Sequence, residues 1–365
     1  MNLIIAAVPI FIFLILTEIL FNHIKKMSFY RVNDAISNVS AGVIQQVLGF
    51  IPIFFEVLAY LLVFKHFALA PEFFGQQVWW MWVLLFFMVD FQYYWFHRFS
   101  HRINILWTGH VVHHQSEEYN LTVALRQSIL QRLYSIPFAL PFAVLGVDLT
   151  MLIIVSVLNT LSQFWVHTRL IDRLPKVFEA FLNTPSHHRV HHGRNPQYID
   201  KNYAGAFIIW DRLFGTFEPE KEEVIYGVTV PTKTWNPLSA QIITLTDLWQ
   251  KIKASPRWQD KARYLVKAPG WHPETGEVPV QMEVREKYDP VLSGKSQLIA
   301  VGGFVLTLGL SVIFLIFHKT LPLGLAAALL LAVLGLLTAI GLMMDREVEE
   351  QSSAGLAVSL ENESA

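Results

Sequence analysis

The stretch that decides the fold runs from residue 97 to residue 114 and reads HRFSHRINILWTGHVVHH, and a related run, HHRVHH, occupies residues 187–192. In the first stretch, His97 and His101 are four residues apart, and His110 is followed three and four residues later by His113 and His114. Residues with these spacings lie on one face of a helix. The pattern therefore predicts helices that bring several imidazoles to one place.

Most of the 14 histidines belong to this pattern, and the other four are scattered singly. The clustered ones are His97, His101, His110, His113, His114, His167, His187, His188, His191 and His192. Imidazole suits iron, copper, zinc and nickel, and a single zinc ion takes about four ligands. So many histidines are too many for one ion and indicate two. His167 is either a metal ligand or a residue that orients a ligand by a hydrogen bond, and we favour a ligand. His187 competes with His188 for the first ligand position in the last cluster.

The composition indicates a membrane protein and limits the metal chemistry. The chain of 365 residues is 53% hydrophobic and 16% charged, against about 25% charged in soluble domains. It has no cysteine, which excludes disulfides, thiolate zinc sites, iron–sulfur clusters and cysteine-ligated haem. The formal net charge of −1 argues against a nucleic-acid partner. Among the metals that remain, iron is the one we favour, because it supports oxygen chemistry.

Six apolar stretches are long enough to cross a bilayer, which takes about 20 residues. They are 3–21, 41–64, 77–96, 133–166, 298–317 and 321–344. The fourth is too long for one upright helix, so we interpret it as a hairpin that turns near Gly146. This gives about seven crossings, with re-entrant segments as an alternative. We interpret the first stretch as a retained span rather than a cleaved leader, because no basic segment precedes it.

The sequence predicts an all-α integral membrane protein, a multi-span helical bundle with a cytoplasmic histidine-rich di-iron cap. Basic residues are concentrated in 22–40 and 97–132, and the positive-inside rule places those loops on the cytoplasmic side. We divide the chain into a membrane-embedded catalytic domain, a C-terminal transmembrane hairpin and a disordered acidic tail. Their bounds are 1–296 with its core at 77–235, 297–344, and 345–365.

Three polar residues within apolar stretches are candidates for supporting catalysis. Asp90 precedes His97 by seven residues, two helical turns, and either orients a ligating imidazole or pairs with a base such as Arg98. Asn159 and Gln163 lie in the fourth apolar stretch. They either hold ligands by hydrogen bonds or only join neighbouring helices.

Longer strings around the histidines carry a family resemblance. They are YYWFH at 93–97, YNLTVALRQS at 119–128, NTPSHHRVHHGRN at 183–195, DKNYAG at 200–205 and IWDRLFGTF at 209–217. Together they resemble the fatty acid hydroxylase/sterol desaturase superfamily, and above all its ether-cleaving branch. The resemblance implies two iron ions on eight or more histidines, dioxygen as oxidant and a lipid substrate. For that branch it also implies hydroxylation of the ether-linked carbon of alkylglycerols, which releases a fatty aldehyde and a glycerol derivative, with tetrahydrobiopterin as the external reductant.

One position departs from the pattern of the branch. Its animal members carry an acidic residue after the second histidine of the first motif, and this chain has Arg102 there. Arg102 is therefore a candidate cofactor-binding position, and it puts the use of a pterin in question, so an electron-donor protein is the alternative. The C-terminal residues carry no endoplasmic-reticulum retrieval signal, and the chain is short for the animal members. We therefore expect a bacterial inner membrane.

Three rival functions remain beside an oxygen-dependent di-iron monooxygenase. A sterol, fatty-acyl or carotenoid hydroxylase or desaturase would use the same iron site. A non-catalytic metal-binding or transport protein would place its ionisable ligands at mid-bilayer, whereas these clusters follow the ends of apolar stretches. A haem protein needs only two axial histidines and leaves most of the set unexplained.

Overall fold

The computed structural model describes residues 3–281, 285–290 and 292–363, with side chains described between Ala7 and Arg346. Over these residues the chain is mostly helical, as the sequence predicts. The helices are α1 (Leu3–Ile24), α2 (Val32–Leu48), α3 (Phe50–Phe67), α4 (Pro71–Gly75), α5 (Trp79–Arg102), α6 (Asn104–His114), α7 (Ile129–Leu145), α8 (Leu149–Leu161), α9 (Lys176–Phe181), α10 (Pro185–His191), α11 (Ile209–Leu213), α12 (Pro237–Ala254), α13 (Trp258–Val266), α14 (Gly294–Phe317) and α15 (Leu323–Glu363). One small antiparallel hairpin pairs β1 (Trp271–His272) with β2 (Gly276–Glu277).

Four of the described helices are long and apolar enough to cross a membrane. Their apolar windows are Ala7–Ile24, Phe50–Phe67, Gly294–Phe317 and Leu323–Arg346. At most 22% of any of these windows is buried inside the protein, so their apolar side chains face outward, as in helices that contact lipid. The chain is therefore an integral membrane protein, with four such helices rather than the expected seven crossings.

The stretch 41–64, predicted to be one span, is divided between α2 and α3. The division falls at Gly49, just before Pro52. Proline has no N–H to donate to the carbonyl four residues earlier, so the regular helix is interrupted there. Before the break, α2 buries polar side chains such as Asp34 and Asn38, which would be costly against lipid. Only α3 therefore has the character of a span.

The stretch 133–166 forms the hairpin that the sequence predicts, with α7 and α8 joined at Gly146. Gly146 has a φ of 89°, and an added Cβ would lie 2.6 Å from the backbone nitrogen of Pro71. The two helices have 17 and 13 residues. At about 1.5 Å per residue, each is shorter than the hydrocarbon layer of about 30 Å. They therefore form a short hairpin rather than two full crossings.

Two apolar cores fix the helices relative to one another. The first lies between α3, α5, α7 and α8 and includes Tyr60, Met81 and Met151. The second joins α2 to α14 and α15 and includes Ile44 and Leu337. The short helix α6 packs against α5, α7, α12 and α13. Its side chains are therefore enclosed, which matters because α6 carries three of the clustered histidines.

The last helix continues beyond the predicted hairpin. The sequence predicts a disordered tail at 345–365, whereas the backbone of α15 is helical to Glu363. The segment contains no proline and several strong helix formers, which favours the continuation of a helix that has already begun. Side chains after Arg346, and residues 364–365 altogether, lie outside the described residues.

Candidate metal centre

Nine of the predicted histidines lie in two buried groups. The first group contains His97, His101, His110, His114 and His191, and the second contains His113, His167, His188 and His192. In each group, one nitrogen from every ring lies within 4.8 Å of the corresponding nitrogens of the others. The groups adjoin, because the ring centroids of His114 and His192 are 4.4 Å apart. The arrangement could hold two metal ions side by side, one near five imidazoles and one near four.

Two short helices supply rings to both groups. On α6, His110 and His114 face the first group, and His113 faces the second. On α10 and its C-cap, consecutive residues diverge in the same way, with His191 in the first group and His192 in the second. Neighbours in a helix point about 100° apart, so one helix placed between two metal positions can serve both.

Five of the imidazoles are held through their Nδ1 atoms by oxygen acceptors. The acceptors are the backbone oxygen of Tyr203 for His97 (2.8 Å), of Lys201 for His191 (3.0 Å), of Arg126 for His113 (3.0 Å) and of Gln163 for His167 (3.0 Å), and the Gln131 side-chain oxygen for His110 (3.1 Å). A carbonyl oxygen can only accept, so each Nδ1 carries the proton and each Nε2 keeps a lone pair. This is the tautomer that a metal ion requires of a ring bound through Nε2.

Pairs of these Nε2 atoms then face one another with no proton between them. The Nε2 atoms of His97 and His110 are 2.8 Å apart, and those of His113 and His167 are 3.2 Å apart. Two lone pairs so close repel each other unless a cation lies against both. The residues present therefore fit bound metal ions.

Orphaned nitrogens support the same conclusion. The Nε2 atoms of His101, His191 and His192 are buried and have no hydrogen-bond partner among the described residues. Leaving a buried polar atom unsatisfied costs about 1–3 kcal/mol. A metal ion in each group would remove that cost.

Burial also keeps the imidazoles neutral. It lowers the pKa of His113 to about 4. Burial, reinforced by neighbouring imidazoles, lowers the pKa well below the usual value for His110, His114, His167, His188, His191 and His192. A neutral ring has the free lone pair that a metal needs, so the centre is ready to bind ions at neutral pH.

His187 does not join either group. Its Nε2 lies 2.9 Å from a carboxylate oxygen of Glu179, and its Nδ1 lies 3.2 Å from the backbone oxygen of Leu182. Both nitrogens thus have partners from the segment around α9. The spacing to His191 in sequence does not foresee this, because the competing carboxylate comes from a different helix.

Asp90 contacts neither an imidazole nor Arg98 by hydrogen bond. Its carboxylate accepts from the backbone N–H groups of Ala206 and Phe207 (2.6 and 3.1 Å) and from the indole of Trp210 (2.9 Å). The same chain segment contains Tyr203, whose carbonyl holds His97. Asp90 therefore fastens the loop that positions the ring rather than the ring itself.

Asn159 and Gln163 continue this network towards the second group. Asn159 donates to Asp90 at 2.7 Å, and the Gln163 side chain donates to Asn159 at 2.9 Å. The backbone oxygen of Gln163 accepts from His167. The predicted trio thus forms a chain of hydrogen bonds that leads from the loop behind His97 to His167.

Arg102 lies half-exposed beside the first group. Its guanidinium donates to Asp200 at 2.7 Å and lies 3.5 Å from a carboxylate oxygen of Glu277. The other carboxylate oxygen of Asp200 is 3.6 Å from Nδ1 of His101. Arg102 therefore reaches the metal centre through Asp200.

Sequence reasoning missed the loop that supplies two of the carbonyls. Asp200 and Asn202 have φ values of 60° and 54°, and these turns direct the carbonyls of Lys201 and Tyr203 at His191 and His97. Aspartate and asparagine tolerate the left-handed conformation better than most residues. Their presence two residues apart was the available signal.

Glu18 was also missed. It is buried in the apolar helix α1 and accepts hydrogen bonds from the Tyr30 hydroxyl, the Thr168 hydroxyl and the backbone N–H of Leu121. An ionisable residue within an apolar span is usually functional or paired, so the signal was present. Glu18 fixes α1 to the residue that follows His167.

Comparisons with known proteins agree with this centre. Residues 82–216 match the family model of the fatty acid hydroxylases, and this range contains both histidine groups. The alkylglycerol monooxygenase of Xenopus tropicalis is 41% identical over 319 residues, which cover 84% of this chain and 69% of the relative. The chain belongs to the alkylglycerol monooxygenase family. It is therefore an enzyme, an oxygen-dependent oxidoreductase of the monooxygenase class.

Other relatives show how far the similarity extends. The human alkylglycerol monooxygenase is 42% identical over 299 residues, covering 81% of this chain and 66% of its own length. An ornithine lipid hydroxylase of Rhizobium tropici is 26% identical over 145 residues, covering 39% of this chain and 44% of that protein. No solved structure matches the chain.

Proposed function

We propose that this protein binds two iron ions, one in each histidine group, and hydroxylates the ether-linked carbon of an alkylglycerol-type lipid with dioxygen. The observation that carries the proposal is the pair of adjoining buried imidazole groups in a chain of the alkylglycerol monooxygenase family. All nine ligands offered are nitrogens, a set that suits iron. The ligands proposed are the nine grouped histidines, and His187 is left out.

The proposed reaction consumes one dioxygen, two electrons and two protons. One oxygen atom enters the C–H bond next to the ether oxygen, and the other leaves as water. The product is a hemiacetal, whose C–O bond breaks to give a fatty aldehyde and a glycerol derivative. Bound iron supplies the activation of dioxygen that no protein side chain can provide.

The protein's own residues orient the rings and keep water away. The carbonyls of Lys201, Tyr203 and Arg126 fix three imidazoles, and such partners typically change metal affinity about 10–100-fold. Burial of all nine rings excludes water from the centre. An apolar lipid dissolved in the bilayer reaches the centre from the membrane side.

The electron donor is proposed to be a pterin or a protein. Arg102, paired with Asp200 and Glu277 beside the first group, stands where the pattern of the animal members has an acidic residue, so tetrahydrobiopterin should be a poor donor. By the positive-inside rule, the basic residues of the loops support a cytoplasmic position for the centre, and a bacterial inner membrane stays the prediction for its location.

The test is product analysis with purified, iron-loaded and reduced protein. A 1-O-alkylglycerol should release a fatty aldehyde only under dioxygen, and ¹⁸O from labelled dioxygen should appear in aldehyde that is trapped before exchange with water. Sterols and free fatty acids are incubated in parallel, since a sterol or fatty-acyl hydroxylase would use the same iron site. Hydroxylated sterol or fatty acid without any aldehyde would favour that rival. One zinc ion per chain, with no iron bound after reconstitution, would refute the oxygenase.

A further inference from the structure

A group of exposed apolar side chains lies near the metal centre but is not part of it. On α9, Val177 is 70% exposed, Phe178 50% and Phe181 60%, and on α11 Leu213 is 68% exposed. These four side chains are called the apolar patch below. Large apolar side chains that are exposed together mark a surface that contacts a protein or a membrane.

The two short helices that carry the apolar patch form one unit. Leu182 and Phe207, which adjoin α9 and α11, form an antiparallel bridge. The backbone oxygen of Phe181 accepts from Ile208 at 3.0 Å, and the Arg212 guanidinium donates to the backbone oxygen of Glu179 at 3.0 Å. The patch is therefore a fixed surface rather than two independent loops.

This unit continues a stripe of exposed apolar residues on α5. Phe207 stacks on Phe87 with ring centroids 4.6 Å apart, and Trp210 packs edge-on against Phe91 at 5.0 Å. One turn earlier on the same helix, Val83 is exposed as well. In a chain with four membrane-spanning helices, such a stripe faces lipid. The stripe on α5 and the apolar patch therefore form one continuous surface, and lipid that contacts the stripe also contacts the patch.

We propose that the apolar patch is seated in the bilayer, at the boundary between lipid headgroups and acyl chains. Arg173 and Lys176 are exposed just before the patch and can meet lipid phosphates, although the exposed Asp172 offsets part of this charge. A short segment with apolar side chains on one surface and cations beside them is typical of interfacial helices. The occupant of this surface is therefore lipid.

The unit of α9 and α11 is joined to the metal centre through two residues that neighbour it. Glu179 of α9 pairs with His187, the residue before His188 of the second group. Asp90 holds the segment that leads from Tyr203, the partner of His97, to α11. Contact of α9 and α11 with the bilayer thus positions the metal centre next to the membrane. The inference that this position helps to admit a lipid substrate rests on the proposed function.

Because the chain has no native cysteine, a single introduced cysteine can be labelled specifically, and the depth of the label in the bilayer can then be measured. Val177→Cys and Leu213→Cys are labelled with a nitroxide in the full chain, reconstituted at high lipid-to-protein ratio, with Lys221→Cys at an exposed polar position as the control. Collisions with dioxygen should exceed those with a water-soluble nickel complex at 177 and 213, which corresponds to a depth of about 5–10 Å. The label at 221 should show the reverse. A monodisperse elution profile in detergent identifies the variants that have folded.

Two results would overturn the seating. Nickel collisions at 177 and 213 equal to those at 221 would place the patch in water. Protection from both reagents that disappears on dilution with lipid would mean that a second copy of the chain covers the patch. Neither result depends on which substrate the enzyme uses, so the seating and the proposed function fail separately.

A second comparison tests the link to substrate. In a Val177→Asp/Phe181→Asp variant, turnover of a long-chain glyceryl ether in vesicles should fall relative to turnover of a short-chain soluble ether. Val230→Asp, at an exposed apolar position outside the patch, should leave that ratio unchanged. An unchanged ratio in the double variant would contradict a role of the apolar patch in admitting the lipid substrate.

Discussion

Replacing two adjacent histidines one at a time should weaken the binding of one metal ion without affecting the other. His191 and His192 are consecutive residues at the end of α10, yet they lie in different groups. Both are buried, and both lose the same ring on change to alanine. Each variant is therefore a control for the other.

The size of the effect follows from the number of rings that remain. His191→Ala leaves four imidazoles in the first group, and His192→Ala leaves three in the second. Loss of a group that only orients a ligand weakens metal binding about 10–100-fold, which corresponds to about 1.4–2.7 kcal/mol. Loss of the ligand itself should cost at least as much. The ion in the four-ring group should therefore be lost more readily than the ion in the five-ring group.

The assay is elemental analysis combined with Mössbauer spectroscopy of ⁵⁷Fe-loaded protein. His192→Ala should lose one spectral component and His191→Ala should weaken the other, and both should stop aldehyde release because the proposed reaction needs both ions. His272→Ala, on the exposed β1, should change neither readout. Equal loss of both ions in both variants would show a single shared site and refute the division into two groups.

Four further outcomes are expected. Asp90→Ala leaves two backbone N–H groups and two side-chain donors without their acceptor. At about 1–3 kcal/mol per buried group, the free energy of unfolding in a detergent titration should fall by at least about 2 kcal/mol. A negligible loss would show that water replaces the carboxylate. The metal-free protein should lose stability as the pH falls from 7 to 4, because the pKa of His113 is about 4 in the folded state and about 6.5 in the unfolded state. The unfolded state therefore binds more protons over this range, which lowers the free energy of unfolding by about 3 kcal/mol. A flat pH profile in chemical denaturation would contradict this. Tetrahydrobiopterin should stimulate the unaltered protein poorly and Arg102→Glu better; stoichiometric pterin consumption by the unaltered protein would rule this out. Gly146→Ala should cost at least about 1–2 kcal/mol because of the left-handed backbone, measured by the same detergent titration, and a neutral result would mean that the turn rearranges.

The predicted membrane helices agreed with the structure where hydropathy alone decides. The stretches 298–317 and 321–344 correspond to α14 and α15. The stretch 41–64 did not, because Pro52 interrupts the helix and because α2 buries Asp34 against residues far along the chain. Ser116, for example, donates to Asp34 from 82 positions away. Hydropathy does not distinguish a helix that faces lipid from one that faces polar partners inside the fold.

The role of Asp90 shows the same limit at the metal centre. Its position two turns before His97 suggested contact with an imidazole, but its partner Ala206 is 116 positions away. His187 shows it as well, since Glu179 on a separate helix takes the nitrogen that the spacing offered to a metal. A helical face predicted from spacing tells which side chains point the same way, and neighbours from other elements decide what they meet.

The sequence by itself predicted a site for two metal ions with histidine ligands, because ligand chemistry and helical periodicity are local properties of the chain. Only the tertiary structure decided how nine rings divide into five and four, because α6 and α10 each contribute to both groups and the division depends on how these helices cross. The structure alone also identified the acceptors behind the rings. Most of them are backbone carbonyls, which every residue has, so no residue type could have marked them in advance.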